Sequence, residues 1–337
     1  MKKKILILAT GGTIASSDRG DGLAPTYNVE DLIAFVPRVK KLCDINGQMV
    51  MNIDSSNMTP NCWVKIARAI YQAYDDYDGF VITHGTDTMA YSSAALTYML
   101  EGLDKPVIVT GSQYPIAQEH TDAILNLNDA IHFACEDIAG VFVVFDGKLI
   151  SGPRAMKVKT RSYDAFVSVN FPHIAEIKHD RIQYKKFVIN GFRQKGTKLI
   201  LHPEIDTSVI IIKLFPGMDP KIFDYIKNNY SGIIIESFGI GGIPFENVDI
   251  ASEVGEMVRD GMAVVMTTQC LEEGVDFDVY EVGKKIPKDG LIYANDMNTE
   301  AMLAKLMCAI GRYDNVADVK KMVEKHIQYD MHKDEYF

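Results

Sequence analysis

The stretch ILILATGGTIAS, residues 5–16, decides how this chain is read. An apolar, β-branched run passes straight into two glycines and a threonine, the pattern of a buried strand that ends in a tight turn. Two chemistries share that backbone. One is a glycine-rich cradle for a phosphate; the other is a strand end that presents Thr13 as a nucleophile. A dinucleotide turn needs GxGxxG and a P-loop needs GxxxxGK[ST], and neither pattern is present here. A lone GGT after a strand is commonly just a turn, so the choice rests on what the rest of the chain supplies.

Runs of similar kind recur at FVIT (80–83), VIVTG (107–111), VFVVF (141–145), VIIIKL (209–214), GIIIESF (232–238) and AVVMTT (263–268). Continuous apolar runs suit strands buried on both faces of a parallel sheet. Helical segments separate many of them, with start signals at Asn28, at Thr59 followed by Pro60, at Thr88 and at Thr121. This alternation predicts an α/β protein with right-handed crossovers. It breaks between about 148 and 207, where the chain is polar and Lys-rich with short strand-like pieces such as AFVSV and IQYKKFVI, and it resumes after Thr207. The expected organisation is a larger N-terminal α/β domain carrying the catalytic groups (1–189), a linker (190–207) and a smaller C-terminal α/β domain (208–337).

Composition narrows the function. A net charge of −10, with no basic cluster beyond Lys2–Lys4, argues against a nucleic-acid partner. No stretch approaches a membrane span, and the apolar run after Lys4 is too short for a signal peptide. The five cysteines (Cys43, Cys62, Cys135, Cys270, Cys308) show no CxxC spacing, as expected of reduced thiols in a cytoplasmic protein. None of the eight histidines has HxH, HxxxH or HExxH spacing, so neither a metal nor another cofactor is expected.

In open α/β sheets ligands bind at the carboxyl ends of the strands. Three polar clusters fall at such ends: TGGTIA (10–15), DSSNMTP (54–60) and THGTDTM (83–89). The last offers two hydroxyls, Thr86 and Thr88, the Asp87 carboxylate and His84. A threonine hydroxyl is a poor nucleophile until a base takes its proton. A lysine serves when a neighbouring cation or desolvation lowers its pKa, and Lys157 and Lys159 in GPRAMKVKT are the candidates. His84 reads better as a hydrogen-bonded histidine at a strand end. Ser55 and Ser56 can hold a carboxylate at their turn, or simply lead into the helix after Thr59. Together the groups suit a small zwitterion, with its ammonium on Asp87, its carboxylate at Ser55/Ser56, and two threonines at the reacting end.

TGGTIA followed by HGTDTM resembles the bacterial-type L-asparaginase family. The likeness runs on through NIDSSNMTP, KPVIVTGSQ, SYDAF, IESFGIGGIPFE and TTQCLEEG, nearly the whole chain, and its DSS serine turn resembles the cytoplasmic (type I) branch. The resemblance implies two α/β domains, a larger N-terminal parallel-sheet domain and a smaller C-terminal flavodoxin-like one. It implies an amidohydrolase that converts L-asparagine to aspartate and ammonia, in a homodimer or homotetramer with sites near the dimer interface. It makes Thr13 the nucleophile that forms an acyl-enzyme, and Thr86, Asp87 and Lys157 the second catalytic group. Lys157 is preferred over Lys159 because it stands five residues after Gly152, as in a G-x-R-x-x-K pattern. Ser55, Ser56, Thr86 and Asp87 match substrate-binding positions, and the Thr86 N–H matches an oxyanion donor. A related component of tRNA-dependent amidation carries an extra N-terminal domain, for which a motif starting at residue 10 leaves no room. Against the enzyme stands a non-catalytic amino-acid- or nucleotide-binding module, which loss of Thr13, Thr86 or Lys157 would have favoured.

Two departures from the family pattern remain. The family nucleophile is assisted by a tyrosine on a mobile loop; here SSDRGDGLAPTYNVED has only Tyr27, and GLAP aligns Leu23 with that tyrosine. Some members bind asparagine at an allosteric site made from a TQC loop and an arginine. The loop is present as Thr268, Gln269 and Cys270, but Glu236 replaces the arginine. A carboxylate there repels an amino acid's carboxylate. The expected rate curve against asparagine concentration is therefore hyperbolic, and a clearly sigmoidal steady-state curve would contradict it.

Overall fold

A computed structural model describes residues 2–18, 23–179, 181–193, 198–246, 248–276 and 290–332. The chain divides into two compact units, Met1–Pro203 and Glu204–Phe337. Both are α/β.

In the first unit the opening run becomes strand Lys3–Gly11, whose Ile5, Ile7 and Leu8 are completely buried. Burying each such side chain contributes about 1.5–3 kcal/mol. The strand pairs in parallel with Cys43–Ile53 on one side and Gly79–Thr83 on the other, and Pro106–Thr110 and Gly140–Phe145 extend the parallel array. Every residue of the last three strands is buried, as the continuous apolar runs require. Helices Pro60–Ala73, Met89–Met99 and Ala123–Ala134 make the crossovers.

Three antiparallel strands complete the sheet, so it is mostly rather than wholly parallel: Lys148–Ser151, Ala175–Lys178 and Arg181–Tyr184. The reversal uses Asp146 and Gly147, both with positive φ (49° and 72°), the pair a two-residue hairpin turn of right-handed twist demands. Only the first half of IQYKKFVI is strand; Lys186–Ile189 is a helical turn. The chain stays with this unit to Pro203, and Ile200–Leu201 pairs with Leu100–Glu101.

The helix starts differ in how they are capped. Asn28 and Asp31 form a reciprocal capping box. Thr88, by contrast, turns its hydroxyl to the Ser55 carbonyl at 2.9 Å, and the cap position before Ala123 is Asp122 rather than Thr121.

The second unit is a four-stranded parallel sheet in chain order, Val209–Lys213, Gly232–Ser237, Ala263–Thr268 and Leu291–Tyr293. Phe223, Ile226, Val254 and Met257 of two helices pack on Ile233, Ile235, Val264 and Met266. Behind helix Thr299–Arg312 lies a completely buried ion pair, Lys305 Nζ to Asp330 Oδ2 at 2.6 Å. Lys305 also donates to the Lys325 carbonyl, and the other Asp330 oxygen accepts from the Ile327 N–H. Among the described residues no helix is long and apolar enough to cross a membrane.

Removing one partner of a satisfied buried pair leaves the other charge stranded, at a cost of about 3–5 kcal/mol. Asp330→Ala is accordingly expected to lose stability on that scale in urea unfolding, while Asp318→Ala, at an exposed pair with Lys321, is expected to shift the unfolding midpoint far less.

Candidate active site

Three strand ends converge, Gly12 against the Gly85 backbone and Gly85 against the Ser55 side chain. Gly11 and Gly12 both have positive φ (97° and 80°), which carries the chain sharply off strand Lys3–Gly11. A Cβ on Gly12 would stand 2.4 Å from the Gly85 nitrogen, and one on Gly85 would stand 2.5 Å from the Ser55 hydroxyl oxygen. Neither space admits a side chain. Gly12, Gly85 and Ser55 are therefore stacked in direct contact, which sets Thr13 and Thr86, each the residue after its glycine, at neighbouring strand ends. Thr13 is half-buried and opens a single turn, Thr13–Ala15, while Thr86 is buried.

The groups that reach Thr86 come from elements distant in the chain. Lys157 ends strand Ala155–Lys157, which pairs with Phe166–Ser168 as a small hairpin. Its ammonium lies 2.7 Å from Thr86 Oγ1 and 2.6 Å from Asp87 Oδ1. The Lys157 side chain is 17% exposed and that of Asp87 63%, so the lysine is sheltered while the carboxylate faces open space. Lys159 instead pairs with Asp164 at the surface. The geometry thus agrees with the preference for Lys157 over Lys159. At the base of the same hairpin the carbonyl of Arg154, a fully buried residue, accepts from the Val169 N–H.

Asp54 accepts from the hydroxyl and from the N–H of Ser56, and these two bonds, the hydroxyl foremost, hold its carboxyl below the usual range. Ser55 is buried beneath Gly85 and Ser56 is exposed. Tyr27 stands edge-on to Phe35, ring centroids 6.0 Å apart, with its N–H bonded to the Ala15 carbonyl. Residues 19–22 of the expected lid lie outside the described residues.

His84 sits in a chain of donors. Trp63 Nε1–H donates to Ser92 Oγ, whose hydroxyl donates to His84 Nε2, and His84 Nδ1–H donates to the Gly85 carbonyl at 2.7 Å. Those partners assign the neutral tautomer with the proton on Nδ1. Complete burial lowers its pKa to about 4. It is a structural group beneath the Gly85 turn. A fourth strand-end cluster, TGSQ (110–113), carries hydroxyls but no ionisable group, although the same strand-end rule points to it. There the Gln113 side chain reaches Thr86.

In the second unit Glu236 lies near the end of strand Gly232–Ser237 and accepts from Thr299 Oγ1 at 2.6 Å. The Thr268 hydroxyl bonds the Gly239 carbonyl and accepts from the Cys270 N–H, and Gln269 donates to the Leu214 and Glu236 carbonyls. Burial raises the pKa of neighbouring Glu300, and the Glu236 charge adds to the rise.

Comparison with known proteins places this geometry. Residues 4–189 match the family model described as Asparaginase, N-terminal, and residues 208–323 match the Glutaminase/Asparaginase C-terminal domain. The chain belongs to the asparaginase family. It is 38% identical to an L-asparaginase of Thermococcus kodakarensis over 327 residues, 96% of this chain and 98% of the relative. The solved structure of the thermostable L-asparaginase from that organism superposes with a TM-score of 0.91, covering 98% of this chain and 99% of that one. L-asparaginase I of Vibrio cholerae is 31% identical with a TM-score of 0.90, covering 99% and 100%. A glutamyl-tRNA(Gln) amidotransferase component of Methanococcus maripaludis is 35% identical over 96% of this chain and 80% of its own length. Family membership accounts for the two α/β domains.

The His84 arrangement has a measurable consequence. Its folded pKa, about 4, lies below its ordinary value of 6.5, so the unfolded chain binds more protons between these values. Its contribution to stability is present above pH 6.5 and is lost as pH falls toward 4. In unfolding experiments across that window, His84→Gln is expected to flatten the pH slope by up to one proton, whatever its effect on stability at neutral pH.

Proposed function

We propose that this protein hydrolyses L-asparagine to L-aspartate and ammonia. The observation that carries the reading is the bridging of Thr86 and Asp87 by Lys157, at the strand ends where the Gly12–Gly85 contact also delivers Thr13. The 38% identity to an L-asparaginase along nearly all of both chains supports the same substrate.

In this mechanism the substrate ammonium group binds the open face of Asp87 and its α-carboxylate binds at the Ser55/Ser56 turn. The Thr13 hydroxyl attacks the side-chain carbonyl, and the Thr86 N–H stabilises the oxygen that gains charge. Collapse of the tetrahedral adduct breaks the C–N bond, and the nitrogen leaves as ammonia after taking a proton. Thr86, Lys157 and Asp87 then direct a water onto the acyl-enzyme, returning Thr13 to its hydroxyl form. Tyr27, held beside the Thr13–Ala15 turn, is the group proposed to assist Thr13. The proposed setting is the cytoplasm, with two or four copies assembled so that active sites lie near a dimer interface.

Glutamine differs from asparagine by one methylene, a difference an apolar pocket converts into about 10- to 200-fold discrimination. The test is ammonia release from both amino acids by the native chain and by Thr13→Ala. The native chain is expected to favour asparagine in kcat/KM within that range, and Thr13→Ala to lose about a thousandfold or more in kcat. Equal rates for the two proteins would overturn the nucleophile assignment, and no release by the native chain would overturn the hydrolase reading.

A further inference from the structure

Gln113 takes part in none of the steps above, yet its side chain touches both halves of the Thr86–Lys157 arrangement. Its Nε2 lies 3.2 Å from the Ser162 carbonyl and 3.4 Å from the Lys159 carbonyl. Two carbonyl oxygens can be met only by the amide NH2, so these contacts determine which way the amide points. The remaining atom, Oε1, lies 3.4 Å from Thr86 Oγ1 and can only accept. Lys157 meanwhile donates to Thr86 Oγ1 from the other side at 2.7 Å. The Thr86 hydroxyl hydrogen is therefore directed toward Gln113 and a lone pair toward Lys157.

The backbone of Gln113 is itself anchored. Its N–H donates to both oxygens of the Asp122 carboxylate, at 3.1 and 2.9 Å, and the Tyr114 N–H donates to one of them. Asp122 is buried and is further held by Asn126. The carbonyls that Gln113 grips belong to the loop joining Ala155–Lys157 to Phe166–Ser168, the hairpin that carries Lys157. The same loop is held again by Tyr163, which donates to the His120 carbonyl and packs edge-on against Tyr114 at 5.7 Å.

We propose that Gln113 is a positioning residue for the reaction, setting the direction of the Thr86 hydroxyl and the distance between Thr86 and the Lys157 hairpin. The inference rests on the reading of Thr86 and Lys157 as a catalytic group. It acts through those side chains and not on the substrate, so its loss changes turnover more than substrate binding.

The test uses Gln113→Glu, which keeps shape and the acceptor facing Thr86. It replaces the donors on the loop carbonyls with a carboxylate and adds a negative charge close to the Lys157 ammonium. An added anion at such a distance holds a neighbouring proton to about one pH unit higher. The expected result, in a variant that unfolds within a few degrees of the native chain, is a kcat/KM profile whose rising limb moves up by about one pH unit. That lowers the value roughly tenfold on the limb, with recovery at alkaline pH and KM nearly unchanged. Gln113→Met, which adds no charge, is expected to lower kcat without moving the limb. A Gln113→Glu profile that superposes on the native one, or falls uniformly at every pH, would refute the role. Lys157→Met, measured alongside, separates the two ideas. Full activity in that variant would bring down the Thr86–Lys157 reading itself, whereas an inactive Lys157→Met beside an unaltered Gln113→Glu would reject only the Gln113 proposal.

Discussion

The contact between Gly12 and Gly85 is the constraint on which the site depends. Two strands of a parallel sheet normally keep their side chains between them once they leave the ladder. Here the chain passes from Gly12 to Thr13 and from Gly85 to Thr86 with backbone against backbone, and Ser55 closes the stack from the third strand end. Positive φ at Gly11 and Gly12 provides the bend, and the absent Cβ atoms provide the proximity. Each requirement selects glycine at position 12, the contact by leaving no room for a Cβ and the backbone by its φ of 80°. Both together bring two threonines to one place without spending side-chain volume between them. His84, neutral and fully bonded, supports the turn from beneath through the Gly85 carbonyl.

Upon that frame the polar groups are sorted by what surrounds each. Lys157 and Lys159 are two residues apart in one segment, yet one is sheltered between Thr86 and Asp87 and the other is paired with Asp164 at the surface. Lys157 still belongs to the paired hairpin strand, whereas Lys159 has already entered the loop beyond it. Asp87 keeps a largely open carboxylate although one oxygen is engaged, which suits a group that must still receive a cation. Gln113, half-buried, is held through its backbone by the buried Asp122 carboxylate, which Asn126 holds in turn. The second unit shows the same economy in a different role. Its buried Lys305–Asp330 pair ties the segment after the last helix back onto helix Thr299–Arg312, while Glu236 accepts from Thr299 at the end of strand Gly232–Ser237.

Much of this is legible in the chain. The apolar runs locate seven strands because a parallel sheet covered by helices needs both faces of each strand to be apolar, so the pattern is strong. Strand Cys43–Ile53 escapes that reading for the opposite reason: it lies at the sheet edge, mostly exposed, and its polar sequence carries no continuous run. The antiparallel strands after Phe145 show only as fragments, since short half-exposed strands give weak alternation. Capping signals identify where helices begin better than which side chain does the capping. Thr88 has a closer acceptor in the Ser55 carbonyl, a partner 33 residues away that no local rule includes.

The sequence by itself determined the α/β class, the glycine turns and the family resemblance, because each depends on residues near one another in the chain. The sequence preferred Lys157 only through the family pattern; the tertiary structure brought it to Thr86, across 71 positions, and brought Gln113 there across 27. Those pairings arise from strand order and hairpin placement. Periodicity and spacing report which face a residue takes on its own element, but not which distant element that face will meet.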